Sequence, residues 1–558
     1  MASSLGSAFG PSVVSAAMSS GNGASSDGHE ASAHDVVVVG AGFAGMYMLH
    51  KLRGLGFDVV VVERADGVGG TWYWNRYPGA RCDVESMQYS YSFDPDLEQE
   101  WEWSERYSGQ PEILRYANHV ADRYDLRRDI RFETTVTAVD WDDDACQWHL
   151  QTDRGPYRAR FVVMATGCLS TANVPQFEGA ETFEGPTYHT GRWPHEGVDF
   201  DGKSVAVIGT GSSAVQAIPV IAAECRELTV FQRTPNYSVP ARNQPLDPVE
   251  KADWKANYRE MRARMVTEPA AMVLRLPGSE DLAKKASDDE FAQRMEQRWE
   301  VGGFTFYRAY GDIALDAESN ERVAQFVRDK IAKVVDDPEM AANLTPHNTI
   351  ACKRPCLDTH YYETFNQPHV SLVDVSETPI ERISPAGVVV DGQEYPVDAI
   401  VYATGFDAMT GTLLRMNITG RGGVRLADHW DAGPRTYLGL GVAGFPNMFT
   451  VSGPGSPSVL TNMIPSIEQH VDWIARCLVD LRERGTTVIE AEPDAEAYWV
   501  DHVNAVADLT LYPTCNSWYL GANIPGKTRV FMPLPGFPPY VEICEDVASD
   551  NYRGFALA

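Results

Sequence analysis

Two glycine-rich turns, each set between a β-branched run and a segment with helical spacing, constrain this chain more than any other feature. The first is Val36-Val-Val-Val-Gly40-Ala-Gly42-Phe-Ala-Gly45 and the second is Val205-Ala-Val-Ile-Gly209-Thr210-Gly211-Ser212-Ser213-Ala214. An unbroken apolar β-branched run suits a strand covered on both faces. Gly40 and Gly42, like Gly209 and Gly211, let backbone N–H groups approach a pyrophosphate, while Gly45 allows a helix to pack closely on the strand. Ala214 replaces that third glycine in the second unit, where helix packing rather than phosphate approach is at stake. A helical stripe follows each turn (Met46, Leu49, Leu52; Val215, Ile218), and then a second strand (Val59 to Val62; Leu228 to Phe231). This order, occurring twice, predicts an α/β chain with two Rossmann-type dinucleotide-binding domains.

The residue that closes each second strand separates the two sites. Glu63 lies about 23 residues after Gly40, where a carboxylate accepts hydrogen bonds from a ribose diol and repels a 2′-phosphate. The matching position of the second unit is Arg233, followed by Thr234, and a guanidinium suits a 2′-phosphate. Alone, Arg233 reads as a solvated strand end. Set against Glu63, it predicts NADPH at the second site. Met164-Ala-Thr-Gly167 and Tyr402-Ala-Thr-Gly-Phe-Asp407 each follow an apolar strand and resemble the crossings of two-domain flavoprotein reductases, a likeness that implies FAD at the first site. Two cofactors imply electron transfer between them.

Length and charge set the outer limits. A chain of 558 residues holds about three or four domains. Net charge of -30 opposes binding to nucleic acid or an anionic membrane, both of which need a basic face. Nowhere is there a run of about 18 apolar residues that could span a bilayer. Nine cysteines without a CxxC pair read as reduced thiols of a cytoplasmic protein, and Cys352 and Cys356 lack the second Cys/His pair of a metal site. The expected division is a disordered tail over 1–33, an FAD-binding domain from 34–170 and 397–558, an NADPH-binding domain from 171–244 and 346–396, and a helical insertion over 245–345. Within the insertion, Val323, Phe326, Val327, Ile331 and Val334 recur at helical spacing.

Between the two fingerprints lies Phe183-Glu-Gly185-Pro-Thr-Tyr-His189-Thr-Gly-Arg-Trp193-Pro194, which matches FxGxxxHxxxWP in full. With Gly69-Gly70-Thr71-Trp72-Tyr-Trp-Asn-Arg-Tyr-Pro-Gly-Ala-Arg-Cys-Asp83 and Cys352-Lys353-Arg354-Pro355, this makes the chain resemble the Baeyer–Villiger monooxygenases, single-component FAD- and NADPH-dependent flavoproteins. The likeness covers about residues 35 to 555 and is nearest to the phenylacetone and steroid monooxygenases. It implies oxidation of a ketone to an ester or lactone with NADPH and O2 through a C4a-peroxyflavin, with sulfides as further candidate substrates. The same likeness assigns Arg354 as the catalytic cation and Asp83 as its carboxylate partner. Tyr89, Met463 and the Ser452 to Ser458 loop are placed by the flavin, and Lys353 and Trp518 by the nicotinamide cofactor. His189 matches a catalytic histidine. Since the attacking oxygen is already ionised, however, a role in domain movement suits it better than one as general base.

Rival readings are a flavin-containing or N-hydroxylating monooxygenase acting on amines or sulfides, opposed by Trp193-Pro194 and the Asp83/Arg354 pair, and a disulfide reductase, opposed by the missing CxxC. From another class, a flavin redox sensor without turnover is distinguished by whether NADPH consumption in air yields product. Substrate size, monomer or homodimer, and any role of residues 1–33 are left open by the sequence.

Overall fold

The computed structural model describes residues 31–558. In the first sheet, Val36–Val39 pairs in parallel with Val59–Val62 on one side and with Phe161–Met164 on the other, and all four valines of the first fingerprint are buried. Of the disordered tail expected over 1–33, residues 32 and 33 belong instead to the first strand. Residues 1–30 lie outside the described residues, but Ser32 and Ala33 pair with Tyr157 and Arg158 at the start of the first strand. Strand pairing uses main-chain groups, so polar side chains did not prevent it.

The second sheet holds five parallel strands in the order Val370–Asp374, Glu227–Gln232, Ser204–Ile208, Ala399–Tyr402, Thr187–His189. Ala399–Tyr402 sits between the second fingerprint strand and the strand that carries His189. The expected boundary at 396/397 therefore cuts too early, because this strand finds its hydrogen bonds in the second sheet. Beyond it the chain returns to the first sheet, where Met448–Thr450 pairs with Val162–Met164. The helix Met463–Arg484 then shares a buried core with the first fingerprint helix, Phe43–Gly54.

Each sheet ends at its glycine turn in the same way. Gly40 has φ +105° and lies so near the carbonyl of Ala165 that a Cβ would be 2.6 Å from its oxygen; Gly209 has φ +111° and stands at the same 2.6 Å from Ala403 O. The alanines of the two Ala-Thr-Gly motifs are thus the residues against which the phosphate turns close. At Gly45 a Cβ would lie 1.8 Å from Gly40 O, which is why that position packs helix on turn and tolerates no side chain.

The segment 245–345 carries helices that serve both cores. Its first helix, Pro248–Met265, buries Trp254, Tyr258 and Met265 with the first domain, while Asp288–Val301 and Ala317–Val334 pack on the second. One further expectation fails: Cys352 and Cys515 form a disulfide, with Cα atoms 6.2 Å apart and a sequence separation of 163. Spacing could not reveal it, because the two loops meet only in the fold. The other seven cysteines are free thiols. Among the described residues no helix is long and apolar enough to cross a membrane and no cluster could hold a metal ion.

Buried histidine helps to hold the returning segment. The Ser452 N–H donates to His470 Nδ1 at 2.9 Å, and Nε2 meets the Tyr540 hydroxyl at 2.7 Å, which itself donates to Leu438 O. Burial lowers the His470 pKa to about 3, so the ring is neutral in the folded protein. The unfolded chain, whose histidine titrates near 6.5, then binds more protons, and stability drains away as pH falls below about 6.5. Melting curves from pH 8 to pH 4 should show this decline, and His470→Gln, which keeps one acceptor and one donor but cannot ionise, should make it shallower by a few kcal/mol. An equally steep decline in the variant would remove His470 as its source.

Candidate active site

Both phosphate turns open into one cavity of about 1050 Å³, at the upper end for a small-molecule site. Gly40, Gly42, Glu63, Gly70, Thr71, Trp72, Asp83, Tyr89 and Met463 line it from the first domain side. Gly209, Thr210, Gly211, Ser212, Ser213, Arg233, Thr234, Lys353 and Arg354 line it from the other, and Trp518, packed against the first core, borders it too. Gly45 does not border the cavity; its place is inside the turn.

The backbone is bare where a pyrophosphate would lie. A Cβ at Gly211 would meet nothing within 4 Å, and Gly70 comes so close to Gly42 that its Cβ would be 2.9 Å from the Gly42 Cα. Glu63 is buried and accepts from the N–H groups of Ala41 at 2.7 Å and Ala65 at 2.8 Å, one to each oxygen. Each oxygen retains a second lone pair for a ribose hydroxyl. The residues present therefore fit FAD on the first side.

The second side presents two cations. Arg233 and Lys353 both line the cavity, and neither forms an ion pair among the described residues. Burial, and then the nearby Arg233 charge, lowers the Lys353 pKa below the usual lysine value. Two like charges held together without a carboxylate are what a phosphate dianion would relieve. The donor set thus fits the 2′-phosphate of NADPH.

Where the two sides meet, Asp83 and Arg354 form a bidentate pair, with Nε to Oδ2 at 2.8 Å and Nη2 to Oδ1 at 2.7 Å. Nη1 donates to the Val459 carbonyl. Burial disfavours the guanidinium charge, but the Asp83 carboxylate outweighs it and raises the Arg354 pKa above its ordinary value. Both side chains keep 23% of their surface exposed, so the pair faces the cavity rather than the core.

Asp83 reaches this point because its loop is pressed onto the second domain. The Tyr77-Pro-Gly79 turn lies against the second fingerprint helix, Ser212–Glu224, where a Cβ on Gly79 would be 2.3 Å from Gln216 O. Gln216 accepts from the Tyr77 hydroxyl at 2.8 Å and the Arg81 N–H at 3.2 Å, and it donates to Arg81 O. Sequence reasoning missed Gln216, which looks like any polar helix residue. Within the first domain, Trp72 Nε1 donates to the Tyr89 hydroxyl at 3.0 Å and fixes the two rings edge to face.

His189 lies away from the cavity, at the last position of the strand Thr187–His189. Its Nδ1 accepts from the Gly191 N–H at 2.9 Å, and Nε2 stands 3.3 Å from the Thr404 hydroxyl, which donates to Asn173 O. Burial lowers its pKa to about 4, leaving a neutral ring. Around it the two crossings between domains run side by side, bridged at Ala172 and Phe406. Trp518 belongs to a segment that docks on the second crossing: Asn523 donates to Phe406 O at 2.8 Å, and Lys527 to Asp407 at 2.8 Å and Ala408 O at 3.0 Å. Neither Asn523 nor Lys527 announced itself in the sequence, although Asp407 closed a motif that did.

Comparison with known proteins gives consistent relatives. Residues 37–275 match the family described as pyridine nucleotide-disulphide oxidoreductase. A Baeyer–Villiger monooxygenase of Pseudooceanicola batsensis is 42% identical, over 93% of this chain and 95% of that protein. A phenazine N-monooxygenase of Lysobacter antibioticus is 41% identical, over 94% of this chain and 97% of that one. Among solved structures, an oxidized steroid monooxygenase bound to NADP superposes with a TM-score of 0.90 at 51% identity, over 94% of this chain and 99% of that chain.

Replacing Arg233 by alanine should raise the KM for NADPH by about 10- to 100-fold, the worth of a charge-assisted hydrogen bond, and leave that for NADH nearly unchanged. Because Lys353 loses its proton below the ordinary lysine pKa, the wild-type preference for NADPH over NADH should also shrink as pH rises into the alkaline range. Steady-state kinetics with both nucleotides check the two effects; equal losses for NADPH and NADH would place the phosphate elsewhere.

Proposed function

Because the chain belongs to the Baeyer–Villiger monooxygenases, we propose that the shared cavity converts a ketone, dioxygen, NADPH and a proton into an ester or lactone, NADP+ and water. The observation that carries this reading is the guanidinium of Arg354 fixed at the meeting point of the two nucleotide sides. FAD, when bound and reduced by NADPH, supplies the activation of dioxygen by which one oxygen atom reaches the substrate and the other leaves as water. Glu63 and the Gly40 and Gly42 turn would hold it, with Trp72 and Tyr89 beside it. Arg233, Thr234 and the Gly209 and Gly211 turn would hold NADPH.

Adding an oxygen nucleophile to a ketone places negative charge on the former carbonyl oxygen. Arg354 has five N–H donors, of which Asp83 and Val459 O take three and the Tyr519 hydroxyl faces another, leaving at least one to meet an oxyanion in the cavity. Asp83 prepays the orientation of the group, so little reorganisation remains for the reaction itself. Lysine would not substitute well, since it lacks the planar fork that Asp83 grips. Trp518, on its docked segment, helps to wall the nicotinamide side from water, which favours transfer to the ketone over loss as hydrogen peroxide.

His189 acts as a hinge residue in this reading. Neutral, buried and bonded between the linker and the second crossing, it can set how the domains approach without touching substrate.

A second reading is favoured by the phenazine N-monooxygenase of similar identity. A heteroaromatic nitrogen is itself the nucleophile, so N-oxidation creates no substrate oxyanion and gains little from the Arg354 cation. The Asp83/Arg354 geometry therefore favours ketones.

The test is aerobic turnover of the FAD-loaded protein with cyclohexanone, a ketosteroid and phenazine, with product identification. Ester or lactone from a ketone is expected, and Arg354→Ala should cut its formation by about 10²- to 10³-fold while anaerobic flavin reduction by NADPH persists. His189→Ala should show the reverse pattern, with slower reduction and normal product per reduced flavin. N-oxide as the sole product would establish the second reading; NADPH oxidation with no oxygenated product from any of the three would overturn both.

A further inference from the structure

The disulfide between Cys352 and Cys515 plays no part in the chemistry above, yet each cysteine adjoins a residue that borders the cavity, Lys353 and Asn516. Cys352 immediately precedes Lys353 and Arg354, and Cys515 stands three residues before Trp518. The bond therefore ties the loop bearing the cavity cations to the segment bearing Trp518.

Within its own surroundings that segment is held by the Leu511 N–H, which donates to Ala314 O at 2.8 Å, by Asn516, which accepts from Arg529 at 2.6 Å, and by Tyr519, buried against Tyr512 and Phe531. Pro513, Thr514 and Asn516 are exposed, and the nearest polar contact across the two loops is between the Thr349 and Thr514 hydroxyls at 3.3 Å. Its other end is pinned by Lys527, whose ammonium meets Asp407 with each side chain about one-seventh exposed. Between the pins, Asn516, Trp518 and Asn523 border the cavity, and Gly521 turns the chain at φ +68°. Without the sulfur bridge, the turn before Trp518 would be tied to the Cys352 end of the cation loop by that hydroxyl contact.

The bridge is also isolated from the remaining thiols. Cys356, four residues from Cys352, is turned toward the Ser212 hydroxyl at 3.4 Å, and burial pushes its pKa up to about 11, which keeps it from competing as a thiolate.

We infer that Cys352–Cys515 is a positioning cross-link, which holds the Trp518 segment against the Lys353-Arg354 loop so that NADP+ stays bound and the cavity stays dry while oxygen is transferred. This rests on the monooxygenase reading for its consequence, though not for its existence. Opening the bridge converts one S–S bond into two thiols and takes two electrons and two protons, which dithiothreitol supplies; diamide, an azo oxidant, removes the same electrons and protons to close it.

The experiment uses the FAD-loaded full chain. Thiol titration under denaturing conditions should find seven thiols, rising to nine after dithiothreitol. Cys352→Ser, Cys515→Ser and the double variant should each weaken NADP+ binding by calorimetry about tenfold, since the segment must then be ordered by the ligand. In turnover with NADPH and cyclohexanone, the KM for NADPH should rise with it and the share of electrons released as hydrogen peroxide should grow severalfold, while flavin reduction at saturating NADPH changes less than about twofold. The double variant should be no worse than either single one, and Cys146→Ser, a control far from the bridge, should match wild type. Wild type opened with dithiothreitol should behave as the variants do and recover with diamide.

Nine thiols in the native protein would overturn the inference, as would variants that bind NADP+ with wild-type affinity. Additive losses in the double variant would point to separate packing of two side chains and would also contradict it. If no ketone yields an ester, the monooxygenase reading fails, but thiol number and NADP+ affinity still judge the cross-link.

Discussion

A carboxylate from the first nucleotide-binding unit grips a guanidinium that enters from the second, and the rest of the cavity is arranged around that pair. Asp83 can reach Arg354 only because the Pro-Gly turn before it is pressed onto the helix of the second fingerprint, with Gln216 bonded to both ends of the contact. Arg354 stays charged in a partly buried place because Asp83 compensates the lost hydration. At least one of its N–H groups remains uncommitted. A permanent cation with a free donor, beside two dinucleotide sites, is suited to holding an oxyanion that exists only during reaction.

Much of this was legible because the glycine turns carry their own physics. Phosphate approach forbids side chains at Gly42 and Gly211, and a buried parallel strand demands the valine runs, so both units could be read from residue type and spacing. Glu63 and Arg233 differ in charge, and from that difference FAD and NADPH were expected at separate turns. What escaped depended on contacts between distant segments. The closeness of Gly40 to Ala165 and of Gly209 to Ala403 explains the Ala-Thr-Gly repeats, but only the folded crossings show it. The disulfide joins positions 163 residues apart and ran against the reading of nine reduced thiols. Ala399–Tyr402, placed with the wrong sheet, is an apolar strand like its neighbours, and its partners are fixed by topology rather than composition.

The two crossings form the mechanical link between the sites. They bridge each other at Ala172 and Phe406, and His189 sits beside them with a hydroxyl of the second crossing as its partner. The same crossing receives Lys527 and Asn523, so the wall that carries Trp518 is attached beside the partner of His189. A change in domain approach would then be felt at the nicotinamide side. This arrangement accounts for a histidine in the linker fingerprint that borders no substrate space, and for a motif aspartate, Asp407, whose partner lies 120 residues away.

If Asp83 serves the reaction through Arg354, the two residues act as one unit rather than as two contributors. A double-mutant cycle of Asp83→Asn and Arg354→Ala, read as ester formed per NADPH consumed by the FAD-loaded enzyme, measures this coupling directly. The account predicts that the double variant is no poorer than Arg354→Ala alone. Losses that multiply would show that Asp83 acts on its own and that the pair at the centre of the cavity is not the working group.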